Sequence, residues 1–206
     1  MKIITSLAVA LVLQAQQPAQ PPSPIPATRM KTPWAANMDP DRPLPEYPRP
    51  QLARKQWVNL NGPWSYAITS ADAPRPETFG KRIVVPFPIE SQLSGAGEWV
   101  APNQRLWYRR TFTAPAMSPG QHVLLNFGAV DWEAEVFVNG KRVGSHQGGF
   151  DPFTFDVTDA LKPGGASQEL VVAVRDPTDQ GQQPRGKQVL RPRSIFYTAV
   201  TGIWQT

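Results

Sequence analysis

From residue 51 onward no stretch of this chain keeps a helical apolar period for three turns. Its apolar residues come instead in short alternating runs that stop at turn residues, the pattern of half-buried strands. Residues 64–69 follow the turn Asn61-Gly62-Pro63; 82–86 is a short buried run; 106–114 (LWYRRTFTA) reads as a long strand. Val123, Leu125 and Phe127 alternate with Leu124 and Asn126. Trp132, Ala134, Val136 and Val138 fall on one face of the next strand, with Glu133, Glu135 and Phe137 on the other. That strand ends at Asn139-Gly140, a pair suited to the two positive φ values of a type I′ hairpin turn. Phe153, Phe155 and Val157 mark a further strand, and Leu170, Val172 and Val174 the last clear one. The chain therefore reads as all-β, a jelly-roll or related β-sandwich.

Composition changes before residue 51. Eleven of the 24 prolines lie between Pro18 and Pro50, so 17–50 reads as a Pro-rich linker or a strap over the domain surface, with Trp34 and Tyr47 as its anchors. Ahead of it, Lys2, the apolar run 3–13 and the small residue Ala15 read as a secretory signal peptide over residues 1–16, which places the protein outside the cell or in the periplasm. The run is too short to span a bilayer, so no membrane partner is expected. The chain has no cysteine, which removes disulfides, thiolate metal sites and cysteine nucleophiles together. The net charge of +5 is spread in pairs such as Lys81-Arg82 and Arg109-Arg110, without the dense basic face that a nucleic-acid partner needs.

Candidate chemistry is sparse, and no catalytic residue is assigned. Glu133 and Glu135 share a strand face at roughly 7 Å, near the carboxylate separations of glycosidases, but their alternation with Trp132 and Ala134 reads as a solvent-facing stripe. Neither His122 nor His146 is flanked by a nucleophile motif. His146 lies near Gly148-Gly149, where a hydrogen-bonded strut is expected rather than a proton shuttle. Two histidines without cysteine do not make a usual zinc site, and the spacing of Asp151, Asp156 and Asp159 matches no calcium loop. No metal or other cofactor is assigned. The seven tryptophans could supply stacking faces for sugar rings, although most are expected in the core. The polar segment 175–193 is long for a connection in a compact domain, and loops of that length are usually functional.

Five segments in series carry a resemblance: WVNLNGPWSY (57–66), VPFPIESQLSG (85–95), LWYRRTF (106–112), VNGKRVGSHQGGFDPFTFDVT (138–158) and TGIWQT (201–206). Together they resemble the N-terminal sugar-binding, galactose-binding-like domain of glycoside hydrolase family 2, which includes β-galactosidases, β-glucuronidases and β-mannosidases. The resemblance spans 51–206 and implies a jelly roll followed, in full-length members, by an immunoglobulin-like domain and a TIM barrel that holds both catalytic glutamates. It implies that those partners and the catalytic residues lie outside this fragment, and that the last strand of the domain is incomplete. It also implies a carbohydrate partner, a β-galactoside or related glycoside. The loop 176–188 resembles the element that reaches the terminal sugar, with Asp179 the first choice for a hydroxyl contact and Asn103 the second. Two other readings stay open: a free-standing carbohydrate-binding module, and an interface domain with an exposed apolar patch near Phe150 and Trp204.

Overall fold

The computed structural model describes residues 32–206 apart from residue 55. The expected signal peptide and the first part of the Pro-rich segment lie outside the described residues.

Twelve strands follow in order: β1 (Gly62–Ser70), β2 (Lys81–Val85), β3 (Gln104–Thr113), β4 (Leu124–Phe127), β5 (Ala129–Asp131), β6 (Glu133–Val138), β7 (Lys141–Gln147), β8 (Phe153–Asp156), β9 (Ser167–Arg175), β10 (Gln188–Val189), β11 (Tyr197–Thr198) and β12 (Gly202–Gln205). Six of them form an antiparallel sheet in the order β2-β1-β3-β9-β6-β7. The ladders β4–β8 and β12–β5 supply the opposing layer. One apolar cluster joins the two: Trp64, Tyr66, Tyr108, Val136 and Val172 from the large sheet meet Phe127, Val130, Val157 and Ile203. The all-β sandwich read from the alternation is the observed fold.

The period-2 pattern explains the faces. Along β6 the buried residues are Ala134, Val136 and Val138, and the half-buried ones are Glu133, Glu135 and Phe137. The strand starts one residue later than its sequence pattern, since β5 ends at Asp131 and Trp132 lies between the two strands. In β9 both faces are covered. Leu170, Val172 and Val174 enter the main core, while Val171 and Ala173 pack with Trp107, Phe79 and Phe137 on the far side. Each large aliphatic side chain buried this way contributes roughly 1.5–3 kcal/mol.

The β6–β7 turn has the expected residues in the expected conformation, with Asn139 at φ 51° and Gly140 at φ 82°. Asn139 also ties the turn to its surroundings, donating to the Ala160 carbonyl and to Gln168 Oε1 while accepting from the Glu169 N–H. Gly144 in β7 leaves the space that the Phe155 ring fills.

The strap docks differently from expectation. Trp34 is 78% exposed and is not anchored against the described residues of the domain. The anchors are Pro43, which is buried, and two backbone carbonyls: Asn61 Nδ2 donates to Pro43 O and Leu44 O, and Asn59 Nδ2 to Leu44 O. Tyr47 does hold its end, edge-on against Trp57 with ring centroids 4.9 Å apart. Gly62 permits the close approach, because a Cβ there would stand 2.7 Å from the Asp41 carbonyl oxygen.

Candidate functional site at the polar end of the sandwich

At the C-terminal end of β9 the chain enters segment 176–201, which takes in most of the polar stretch read as a long loop over 175–193 and is anchored on buried carboxylates. Asp176 is 2% exposed; its Oδ1 accepts from the Thr178 N–H at 2.7 Å, and its Oδ2 from the hydroxyls of Thr178 and Thr201 at 3.1 and 2.9 Å. These bonds fold the start of the segment into a local turn and clip its far end back onto it.

Asp131 closes β5 and is 3% exposed. Its Oδ2 accepts from Gln188 Nε2 at 3.1 Å, and Gln188 Oε1 accepts from the Val200 N–H at 2.6 Å. Gly149 passes directly over the carboxylate, where a Cβ would stand 2.7 Å from Oδ1. Glu90 completes the group: Oε2 accepts from the Thr201 N–H at 3.0 Å, and Oε1 is buried with no hydrogen-bonding partner among the described residues. Asp131 thus holds β10 through Gln188, while Asp176 and Glu90 hold Thr201 just beyond β11.

Burial dominates the electrostatics. It raises Glu90 to about 8, with the Asp176 charge adding to the shift and the Thr201 N–H opposing it. Asp131 rises to about 7 by burial, helped by the Asp176 charge and opposed by Gln188. Asp176 is itself raised by burial, against the bonds from Thr178 and Thr201, with the Asp179 charge adding to the rise. Burial also pushes the Tyr108 phenol up. Its oxygen accepts from the Ile203 N–H at 3.3 Å, which fixes β12 to the core. Burial thus favours the protonated form of each of these carboxyls, and their hydrogen bonds tie the loop to the sandwich.

Asp179 is half-buried on this scaffold, next to the buried acids. The turn around it is closed by Gln180 N–H to Pro177 O at 2.9 Å and by Gln183 Nε2 to Thr178 O at 2.8 Å. Asn103 is exposed in the turn before β3, where its carbonyl accepts from the Ala71 N–H. Because β3 and β9 run antiparallel with Leu106 opposite Val174, Asn103 and Asp179 emerge at the same end of the sheet. The buried acids, by contrast, carry no separate sequence signal. Asp131 is the nearest to one, a carboxylate directly after the buried pair Ala129-Val130.

The other candidates resolve separately. Glu135 lies between Arg105 and Arg142 at 3.4 and 3.3 Å, so the face expected to be a solvated stripe is half-buried and ion-paired. Asp156 caps its own turn, accepting from the Thr158 N–H and hydroxyl, and pairs with His122 Nδ1 at 2.6 Å; the Thr158 bonds hold its carboxyl at about 2. Among the described residues no three His, Asp or Glu side chains converge as metal ligands. His146 is not in a bend but in β7, opposite Ala134. Its ring stacks on Phe153 at 4.2 Å and Nε2 is buried without a hydrogen-bonding partner among the described residues, so the strut acts by stacking.

The profile of the family described as "Glycosyl hydrolase 2 galactose-binding domain-like" matches residues 84–198, more than half of the chain. The chain belongs to this family. The match runs from β2 through β11 and includes the buried carboxylates and the loop that carries Asp179. Relatives include a β-glucuronidase of Canis lupus familiaris, 28% identical over 73% of this chain and 26% of its own length. A β-galactosidase of Thermoanaerobacter pseudethanolicus is 36% identical over 39% of this chain and 11% of its own. Among solved structures, the Faecalibacterium prausnitzii β-glucuronidase is 33% identical and covers 61% of this chain and 22% of its own, with a TM-score of 0.47. The chain spans about a quarter or less of the length of these relatives.

Proposed function

We propose that this chain is the sugar-facing, non-catalytic domain of an exported glycosidase of the β-glucuronidase or β-galactosidase kind, in which loop 176–188 meets the terminal sugar. The supporting observation is the loop's construction: a surface loop that only joined two strands would not need three buried carboxylates beneath it, whereas a sugar contact must be held within a fraction of an ångström. Asp179 supplies the hydroxyl-accepting carboxylate and Asn103, at the same sheet end, a second polar contact. The bond-cleaving pair belongs to another part of the whole enzyme, and Glu133 and Glu135 take no part. Glu135 is engaged by Arg105 and Arg142, whereas a general acid must be free to hold and deliver a proton.

A second role has its own observation. Phe150 is 50% exposed with its ring edge-on to Trp204, and Ile195, Phe196 and Tyr197 are 65, 40 and 53% exposed. These residues fit a surface by which the domain packs against the rest of its enzyme. The test of the catalytic assignment is an assay of the purified chain on nitrophenyl β-glucuronide and β-galactoside. No turnover is expected. Turnover that disappears in Glu133→Gln or Glu135→Gln would overturn the assignment.

A further inference from the structure

Between Asp179 and Tyr197 the chain carries no acidic residue and four basic ones, Arg185, Lys187, Arg191 and Arg193. The last three are exposed and Arg185 is half-buried. The ion pairs among the described residues engage Arg75, Lys81, Arg105, Arg109, His122 and Arg142, and none of these four. The acids bonded to the same segment offset little of its charge. Glu90, Asp131 and Asp176 lie where burial favours their protonated forms, which leaves the half-buried Asp179.

The backbone that carries the bases is fixed at both ends. β10 and β11 pair in parallel, Gln188 beside Tyr197 and Val189 beside Thr198, and the Lys187 carbonyl accepts from the Tyr197 N–H at 3.1 Å. Arg185 closes the approach, its Nη1 donating to the Gln188 carbonyl at 2.6 Å. At the far side the Phe196 N–H donates to the Arg193 carbonyl at 3.0 Å. Gln188 ties the whole to Asp131 and to the Val200 N–H. Lys187 thus stands at the foot of a closed loop that carries Arg191 and Arg193. Like charges held close together repel one another, and an anion that bridges them relieves the repulsion.

We propose that the ridge 185–193 receives an anionic glycan, a short run of sugars bearing carboxylate or sulfate groups that meet Lys187, Arg191 and Arg193. The choice of a glycan rests on the reading of loop 176–188 as the sugar contact: the ridge continues that loop without a break, so sugars that extend along the segment from Asp179 meet the bases next. A guanidinium offers paired N–H donors to two oxygens of a carboxylate or sulfate, and an ammonium adds a compact charge. Exposed pairs of this kind are weak singly and are screened by salt, so the ridge selects for several charges in a row. The substrate class it names is a glycoside whose remainder is an acidic oligosaccharide.

The test titrates the isotopically labelled 206-residue chain, followed at each backbone amide, with tetragalacturonate and with its methyl ester, the same sugars without charge. The acid is expected to shift amides within 185–197 and to bind about tenfold tighter than the ester, a difference that about 500 mM NaCl largely removes. A sulfated oligogalactan of matched length and its desulfated form separate sulfate from carboxylate. Preference for the charged form in either pair supports the ridge, and preference in neither overturns it. The triple variant Lys187→Gln, Arg191→Gln, Arg193→Gln is expected to lose about tenfold for the charged sugar. Arg82→Gln, Lys141→Gln, Lys162→Gln, which removes the same charge from exposed positions elsewhere, is expected to lose less than about twofold; equal losses would overturn the proposal. Tetraglutamate bound as tightly as the charged sugar would assign the ridge to an acidic protein segment and overturn it too. Shifts at 185–197 with none at Asp179 and Asn103 would support the ridge and count against the sugar-contact reading, whereas the converse would keep that reading and overturn the ridge. The comparison of charged and uncharged sugars needs no variant, so it decides even where a variant fails to fold.

Discussion

Gly202 shows at the scale of one residue why the polar end tolerates little change. Its φ is 92° and a Cβ would land on the Tyr108 hydroxyl, so an alanine there meets both backbone strain and a buried clash. Gly202→Ala is expected to cost about 2–4 kcal/mol in urea unfolding. Gly80→Ala, where nothing lies within 4 Å, is expected to stay within about 0.5 kcal/mol of the parent. Asp131 gives a second pair. Asparagine keeps an oxygen for Gln188 and carries no charge into the interior, so at pH 8 Asp131→Asn is expected to match or exceed the parent's stability. Asp131→Ala leaves Gln188 Nε2 without its partner and is expected to lose about 1–3 kcal/mol under the same conditions. Equal losses from the two would show that the charge, not the hydrogen bond, is what the site needs.

Among the elements, segment 176–201 is where folding and titration meet. Glu90 rises from an ordinary 4.5 to about 8 and Asp131 from 3.8 to about 7, so each holds its proton more tightly folded than unfolded. Their contribution to stability is fully present below about pH 4 and is lost as pH climbs through 7 and 8. Asp156 runs the other way: its carboxyl is held at about 2, so its contribution is present above pH 4 and lost as pH falls through 2. Urea midpoints measured from pH 4 to 9 are therefore expected to decline, the unfolding free energy falling by on the order of a few kcal/mol in total, and the decline is expected to flatten in the double variant Glu90→Gln, Asp131→Asn. A midpoint that rises across that window would contradict the assignment of these carboxyls as groups whose protonated form burial favours.

The same elements show what was legible beforehand. β1, β3, β6, β8 and β9 announce themselves because each is long enough to alternate visibly and ends at a turn whose chemistry is local. β10 and β11 are two residues each, too short for any period, and they exist because Gln188 reaches Asp131 across 57 positions of sequence. A hydrogen bond of that kind leaves no pattern in its own neighbourhood. Of the two anchors read from the sequence Tyr47 packs on Trp57 while Trp34 stands exposed, and the remaining docking is done by the carbonyls of Pro43 and Leu44, which every residue possesses.

For the whole molecule, family membership and the all-β sandwich together describe a domain that covers about a quarter or less of the relatives reported above. Under the proposed function the domain would offer a sugar one carboxylate and one amide, which hold it weakly by themselves because a few polar contacts barely exceed the cost of association. A free-standing binding module would hold its ligand tighter than about 1 mM. The most direct measurement is a titration of the isotopically labelled chain with methyl β-glucuronide and methyl β-galactoside, followed at each backbone amide. The account predicts shifts confined to residues 176–188 and Asn103, with Kd no tighter than about 1 mM, and their loss in Asp179→Ala. Shifts centred elsewhere, or none at all at molar excess of either sugar, would contradict it.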